Sequence, residues 1–155
     1  MTPTNNPPRS RATIQRAAQI VGAVFLLVGV LGFIPGVTSN YQSLSFAGHA
    51  SDALLLGVFQ VSILHNIVHL LFGVAGILMS RTAGQARNYL VGGGVIYLAL
   101  WIYGLLIDQE SQANFVPVNS ADNWLHLILG VGMLALGLAL SRRRSIKPTA
   151  TTTKR

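Results

Sequence analysis

The sequence predicts an all-α membrane protein, a polytopic bundle of four transmembrane helices, and two observations lead to this prediction. First, 51% of the 155 residues are hydrophobic and only 10% are charged, whereas soluble domains contain about 25% charged residues. Second, the few charged residues divide the chain into four apolar segments. Each segment is long enough to cross a bilayer core, which takes about 20 residues, so the chain is expected to be embedded in lipid.

The helices are predicted at about 17–35, 53–80, 88–107 and 123–141. The second is longer than the membrane requires, because at about 1.5 Å per residue it would span about 42 Å and the hydrocarbon core is only about 30 Å thick. We therefore expect it to tilt or to place its first turns in the interface. Residues 13–144 form the predicted membrane domain, and the segments 1–12 and 145–155, which are poor in apolar residues, are predicted to be disordered tails.

The charged residues also predict an orientation. All 11 basic residues lie before helix 1, between helices 2 and 3, or after helix 4, and all 4 acidic residues lie in the other two loops. Because cytoplasmic loops are enriched in Lys and Arg, both termini and the loop at 81–87 are predicted to be cytoplasmic. The basic stretch 142–147 is expected to contact anionic lipid. The bilayer is thus the predicted partner, other membrane proteins or a second copy of the chain remain open, and no nucleic acid is expected.

An internal repeat predicts how the helices pair. Helix 2 contains N-I-V-H-L-L-F-G at 66–73 and helix 4 contains N-W-L-H-L-I-L-G at 123–130, so both read N-x-x-H-L-x-x-G. Both helices run from the outer to the inner side, which makes the repeat parallel. We therefore expect two helical hairpins, formed by helices 1 and 2 and by helices 3 and 4, related by a pseudo-twofold axis along the membrane normal.

The same motif predicts a polar seam inside the bundle. Positions three, four and seven apart share one face of a helix, and polar side chains within a bilayer face the protein interior because lipid cannot pair with them. The residues of this polar seam are Ser62, His65, Asn66, His69, Tyr97, Trp101, Asn123 and His126. The structural interpretation is that they hydrogen-bond to one another and define the helix register, each bond contributing about 0.6–2 kcal/mol.

Three ligand-binding interpretations remain open beside the structural one. His69 and His126, one on each of two facing helices, match the arrangement that holds a haem b. His65 and His69 are spaced to present two imidazoles to a divalent metal. The third interpretation is the handling of protons or of a small molecule, such as a quinone-sized apolar ligand contacted by the histidines. Asp122 lies one helical turn before His126, so a carboxylate–histidine contact is also open. None of these interpretations leads to a confident cofactor prediction.

Several enzyme classes are excluded by what the sequence lacks. There is no cysteine, which excludes thiol catalysis, disulfides and cysteine-ligated clusters. There is no Walker loop, no G-x-S-x-G and no dinucleotide fingerprint, and no acidic residue lies deep within a predicted helix. No catalytic residue is predicted, and the protein is expected to be a non-enzymatic membrane component.

Three segments carry a resemblance to a known family. They are G-F-I-P-G at 32–36, F-Q-V-S-I-L-H-N-I-V-H-L-L-F-G at 59–73 and N-W-L-H-L-I-L-G at 123–130. Over about residues 14–142 the chain resembles the bacterial four-helix membrane proteins of the domain-of-unknown-function 4383 family. The resemblance implies a multi-pass protein of the bacterial plasma membrane. It implies no activity and no catalytic residue.

Overall fold

The structure, a computed structural model, describes residues 9–141 and contains four α-helices in that part of the chain. They are α1 (Arg9–Leu31), α2 (Ile63–Met79), α3 (Ala83–Leu106) and α4 (Ser120–Ser141). Ala12–Leu31, α3 and α4 are long and apolar enough to cross a membrane, and α2 with 17 residues is at the lower limit for a span. The predicted all-α membrane bundle is confirmed. The predicted tail 145–155 and residues 1–8 of the other predicted tail lie outside the described residues.

The helices pack as two antiparallel hairpins, as the internal repeat predicted. The contacts of α1 are mainly with α2, those of α3 are mainly with α4, and α1 and α3 meet where the two hairpins join. A buried cluster in the middle of the bundle holds the hairpins together. Its members are Ile14, Ala18, Phe25, Ala86, Tyr89, Leu90, Tyr97 and Met133.

The segment predicted to begin helix 2 is not helical. It contains strands β2 (Leu54–Leu55) and β3 (Phe59–Gln60), which form an antiparallel sheet with β1 (Thr38–Ser39). The chain turns between β2 and β3 through Leu56 and Gly57, whose φ angles are 55° and 71°. Two successive residues in the left-handed region reverse the chain and exclude a continuous helix. The predicted excess length of helix 2 is therefore taken up by this hairpin.

Local caps set where α2 and α3 begin. Ser62 Oγ accepts a hydrogen bond from the His65 N–H at 3.1 Å, which starts α2 at Ile63. Thr82 caps α3 in the same way through the Gln85 N–H at 3.2 Å. The predicted helix starts at 53, 88 and 123 were wrong by a few to ten residues, because apolar runs measure contact with lipid rather than the capped ends of a helix.

The ends of α1 also differ from the predicted range 17–35. The helix begins at Arg9, so it includes polar residues that precede the apolar run, and it ends at Leu31. Pro35 follows shortly after and pairs with Thr38 in an isolated bridge. Proline disfavours helical geometry at the residue before it, so the apolar run extends beyond the C-terminal end of the helix.

Glycines mark equivalent close approaches within the two hairpins. A Cβ atom on Gly22 of α1 would lie 2.9 Å from the carbonyl oxygen of Gly73 on α2. One on Gly94 of α3 would lie 2.9 Å from the carbonyl oxygen of Gly130 on α4. Since Gly73 and Gly130 are the last residues of the repeated N-x-x-H-L-x-x-G motif, the two halves of the molecule cross at the same point of the repeat.

Candidate functional site

The repeat in α2 and α4 has a matching repeat in α1 and α3. The stretches G-A-V-F-L-L-V-G-V-L-G at 22–32 and G-V-I-Y-L-A-L-W-I-Y-G at 94–104 share the pattern G-x-x-[FY]-L-x5-G. In both hairpins the first glycine of this pattern faces the last glycine of the N-x-x-H-L-x-x-G motif. The last glycine of the pattern, Gly32 or Gly104, faces the asparagine that opens the motif. The two motifs therefore interlock, and their contacts are the same in both halves.

The two seam asparagines occupy space that only glycine leaves free. Asn66 is packed against Gly32 and Asn123 against Gly104, and a Cβ atom at either glycine would overlap the facing amide. Asn66 is fully buried and both of its amide atoms lack a hydrogen-bond partner, as does the amide oxygen of Asn123. Packing against glycine, rather than hydrogen bonding, holds these two side chains in place.

Four rings cross the middle of the bundle in a row. Phe25 and Tyr97 stack with 5.4 Å between ring centroids, and they are the equivalent aromatic residues of the α1 and α3 motifs. The ring centroid of His69 lies 5.7 Å from that of Phe25, and the ring centroid of His126 lies 5.2 Å from that of Tyr97. The row reads His69, Phe25, Tyr97, His126, so that each histidine lies next to the aromatic residue of its own hairpin.

A cavity of about 160 Å³ lies beside this row, near the N-terminal end of α2 and the C-terminal end of α3. Its lining residues are His65, Val68, His69, Tyr97, Leu100, Tyr103, Phe115, Val116, Val118 and His126. We call it the three-histidine pocket. Three of the seam residues proposed as ligand-binding from the sequence, His65, His69 and His126, are thus brought together around one space.

The imidazoles of the three-histidine pocket have unused hydrogen-bonding atoms. The Nδ1 atoms of His65, His69 and His126 are buried and have no hydrogen-bond partner. The rings of His65 and His69 are 4.5 Å apart, and the side chains of His65 and His126 are 4% and 5% exposed. A buried polar atom without a partner costs about 1–3 kcal/mol, and these nitrogens have almost no accessible surface, so a molecule in the pocket would reach them only after the imidazole rings turn.

The loop at 107–119 forms the roof of the pocket. Asn114 holds this loop in shape, because its amide Nδ2 donates to the carbonyl oxygens of Gln109 at 2.9 Å and of Val118 at 3.0 Å. Its Oδ1 accepts from the Val118 N–H at 3.0 Å. Tyr103 adds a bond from its hydroxyl to the Ala113 carbonyl at 2.8 Å. These hydrogen bonds hold the loop over this end of the pocket.

Contacts between the hairpins support the outer end of the site. Asp122 Oδ2 accepts from the backbone N–H of Gln60 at 2.9 Å and from that of Asn119 at 3.0 Å. The Asp122 N–H donates to Asn119 Oδ1 at 3.0 Å, which completes a reciprocal cap of α4. The carboxylate is occupied by these backbone groups, and no hydrogen bond joins it to His126, so the contact left open by the sequence is not formed.

The other seam residues have separate surroundings. Ser62 caps α2, and the indole Nε1 of Trp101 is buried without a partner. Among the described residues, no side chain–side chain hydrogen bond joins two members of the polar seam. The mutual hydrogen bonding expected of the seam is therefore not what holds it together.

The geometry does not suit haem. Phe25 and Tyr97 stand between His69 and His126, so no common face is free for a macrocycle. The pocket of about 160 Å³ is also smaller than the roughly 300 Å³ at which sites for drug-sized ligands begin. A haem would have to displace both aromatic rings.

The metal interpretation lacks a third ligand. Within residues 9–141 no three His, Asp or Glu side chains are grouped as metal ligands. His65 and His69 are a pair, and two imidazoles alone are fewer than the three or four protein ligands of zinc sites.

Sequence reasoning did not find most of the walls of the pocket. The pocket walls Phe115 and Val118 carry no polar side-chain atom, and neither does Phe25, which contacts His69 and Tyr97 beside the pocket, so no chemical pattern singled them out. A signal for Phe25 existed, because aligning the two G-x-x-[FY]-L-x5-G stretches places it opposite Tyr97. The loop residues had no such signal, since their position depends on the fold of the roof.

The pocket has no counterpart in the first half of the molecule. The repeat relates Leu100, Tyr103, Val116 and Val118 of the pocket to Val28, Leu31, Phe59 and Val61. All four of the latter belong to an apolar cluster beneath the small sheet, together with Ala53 and Leu55. In the first half of the molecule the small sheet therefore covers these residues, whereas their equivalents in the second half line the pocket.

A comparison with family models found a match. The model of a family described as a domain of unknown function (DUF4383) matches residues 15–139, which include all of α2 and α3 and most of α1 and α4. Searches of curated proteins and of solved structures found no match.

Proposed function

We propose that this protein, which belongs to the DUF4383 family, is a non-enzymatic membrane component that binds a small, largely apolar molecule in the three-histidine pocket. The observation that carries the proposal is the set of three histidine side chains around one uncharged and largely apolar pocket. A neutral imidazole has one donor and one acceptor nitrogen, so three rings can pair with either kind of polar group. The rest of the lining would contact the apolar part of the ligand.

The size of the pocket supports a ligand with one ring. An engineered apolar cavity of about 150 Å³ binds benzene, and the three-histidine pocket measures about 160 Å³. A purely structural role for the histidines leaves their buried Nδ1 atoms unpaired at a cost of about 1–3 kcal/mol each. A bound molecule adds its own binding free energy to the stability of the folded chain.

We further propose that the protein lies in a bacterial plasma membrane with both termini on the cytoplasmic side. Arg81 and Arg87 are exposed at the turn between α2 and α3, whereas Asp52, Asp108 and Glu110 lie in the loops at the opposite end. This asymmetry agrees with the positive-inside rule. The bilayer is the proposed partner in this arrangement, and association with a second copy or with other membrane proteins is compatible with it.

Binding can be tested with phenol as the probe. The full chain would be placed in nanodiscs of phosphatidylethanolamine and phosphatidylglycerol, and its unfolding temperature measured with and without phenol. Leu100→Trp fills the mouth of the pocket, and Leu105→Trp is the matched control, because Leu105 is exposed on the same helix and does not line the pocket. At ten times Kd we expect a gain of about 1.4 kcal/mol for the wild type and for Leu105→Trp.

The two variants separate binding from an effect of phenol on the bilayer. A bilayer effect would act equally on all three proteins, whereas a pocket effect would be lost in Leu100→Trp alone. If phenol fails to stabilise the wild type, or stabilises Leu100→Trp to the same extent, the proposed function is wrong.

A further inference from the structure

We propose that the ligand of the three-histidine pocket is the uncharged single-ring head group of a quinone or quinol lipid, which enters sideways from the bilayer and leaves its apolar tail in the membrane. This inference rests on the proposed function and adds the chemical class and the route of entry. It concerns binding only and includes no electron transfer.

The position of the pocket mouth indicates entry from lipid. Val68 of α2 and Leu100 of α3 line the pocket and are 43% and 42% exposed. At a rise of about 1.5 Å per residue, Val68 and Leu100 lie about 8–9 Å along their helices from the ends of α2 and α3 that are nearest the roof. Both belong to apolar helices, so the opening between them faces acyl chains rather than water. A molecule that uses this opening must first dissolve in the membrane.

The roof is held in place by hydrogen bonds. Asn114 makes three hydrogen bonds within the roof, and Pro117 beside it is fully buried. The backbone N–H of Gln60 is bound to Asp122 across the two hairpins. Moving the roof would break this set of bonds, whereas passage between Val68 and Leu100 displaces only apolar side chains.

The charge of the lining indicates a neutral ligand. The described residues that line the pocket include no Asp, Glu, Lys or Arg. A permanently charged molecule would lose its hydration there without gaining an opposite charge, and that loss is large in an apolar environment. Carboxylates, phosphates and ammonium groups are therefore disfavoured as ligands.

The arrangement of the histidines indicates polar atoms at two edges of the ligand. His65 and His69 reach the pocket from α2, and His126 reaches it from α4, which belongs to the other hairpin. Imidazole rings thus line the space from both hairpins. A ring with an oxygen at each of two opposite edges, as in a benzoquinone or its quinol, can pair with an imidazole on either side once these rings turn a nitrogen toward it, whereas an apolar ring can pair with none of them.

The size of the pocket explains why only the head group enters. The volume of about 160 Å³ suits one six-membered ring. A tail of isoprenoid units would extend through the gap between Val68 and Leu100 into the acyl chains. The membrane then supplies the apolar contacts that the pocket is too small to give.

A matched pair of probes tests the class of ligand. A benzoquinone with one isoprenoid unit and a benzene with the same unit would be titrated into nanodiscs of the full chain, and Kd measured from the rise in unfolding temperature. We expect the quinone to bind about tenfold more tightly, which is the contribution of one or two net hydrogen bonds. His69→Phe keeps an aromatic ring and removes the nitrogens, and in this variant the two probes should bind alike. Leu100→Trp should bind neither probe.

The outcomes separate this inference from the proposed function. If phenol stabilises the wild type but the prenylated quinone does not, lateral entry of a quinone lipid is excluded and the pocket remains a binding site for another molecule. Equal binding of the two prenylated probes to the wild type overturns the chemical class, even if His69→Phe fails to fold. Binding of the quinone to Leu100→Trp overturns the route. If none of the probes binds, both the proposed function and the quinone-lipid inference are wrong.

Discussion

Phe25 and Tyr97 stack face to face with 5.4 Å between their ring centroids and an angle of 28° between their planes. They are equivalent residues of the two hairpins, since each is the aromatic member of the repeated G-x-x-[FY]-L-x5-G pattern. Each also contacts the histidine of its own hairpin, at 5.7 Å for His69 and 5.2 Å for His126. The joint between the two halves of the molecule is therefore built from the repeat itself.

This joint predicts a large loss of stability when Phe25 is shortened. Phe25→Ala removes a side chain that is only 3% exposed, and burial losses of this kind cost about 3–5 kcal/mol. Phe46→Ala is the control, because Phe46 is 65% exposed. Reversible unfolding in mixed micelles would measure both. Equal effects of the two substitutions would show that the stacked pair does not hold the hairpins together.

The run of glycines at 92–94 predicts opposite effects at neighbouring positions. Gly94→Ala would place a Cβ atom 2.9 Å from the Gly130 carbonyl oxygen, so we expect a loss of about 1–3 kcal/mol from overpacking. Gly92→Ala meets nothing within 4 Å and should gain about 0.5–1 kcal/mol, because alanine favours the helix. Thermal unfolding of the two variants measures this difference. A loss at Gly92 as large as that at Gly94 would contradict the crossing point of α3 and α4.

The contact between Asp122 and Gln60 predicts that one carboxylate supports the outer end of both hairpins. Asp122→Ala leaves the buried N–H groups of Gln60 and Asn119 without their acceptor, which should cost about 2–3 kcal/mol. Asp52→Ala is the control, because Asp52 is exposed. Hydrogen exchange provides the second measurement, and the Gln60 amide should exchange faster in Asp122→Ala only. Unchanged exchange at Gln60 would show that the bond between the hairpins does not persist in solution.

The proposed orientation predicts which side of the membrane each loop faces. The chain has no cysteine, so single cysteines can be labelled without a background. Gly84 at the start of α3 and Gln112 in the roof loop are both exposed. With a membrane-impermeant maleimide on intact cells, Gln112→Cys should be labelled and Gly84→Cys should be labelled only after lysis. The reverse pattern would invert the proposed topology.

The repeated motifs show how far sequence reasoning reached into the site. The histidines and asparagines were found because polar residues are rare in apolar helices and recur at the same spacing. The pairing of the hairpins followed from the direction of the two repeats. The glycine partners Gly32 and Gly104 were not connected to the asparagines they face, because a contact between two helices leaves no local pattern in either of them.

The sequence by itself determined the number of helices, the inward faces of α2 and α4 and the separation of the basic and acidic residues to opposite ends. These features are local, since they depend on the hydropathy and charge of consecutive residues. Only the tertiary structure decided that residues 54–60 form a hairpin of strands and that the three-histidine pocket forms where residues of both hairpins meet the roof loop. Val28 and Leu100 are equivalent in sequence, yet the first lies under the small sheet and the second opens to the pocket. The difference arises because a cavity is the space that remains after distant segments have packed, and no single segment encodes it.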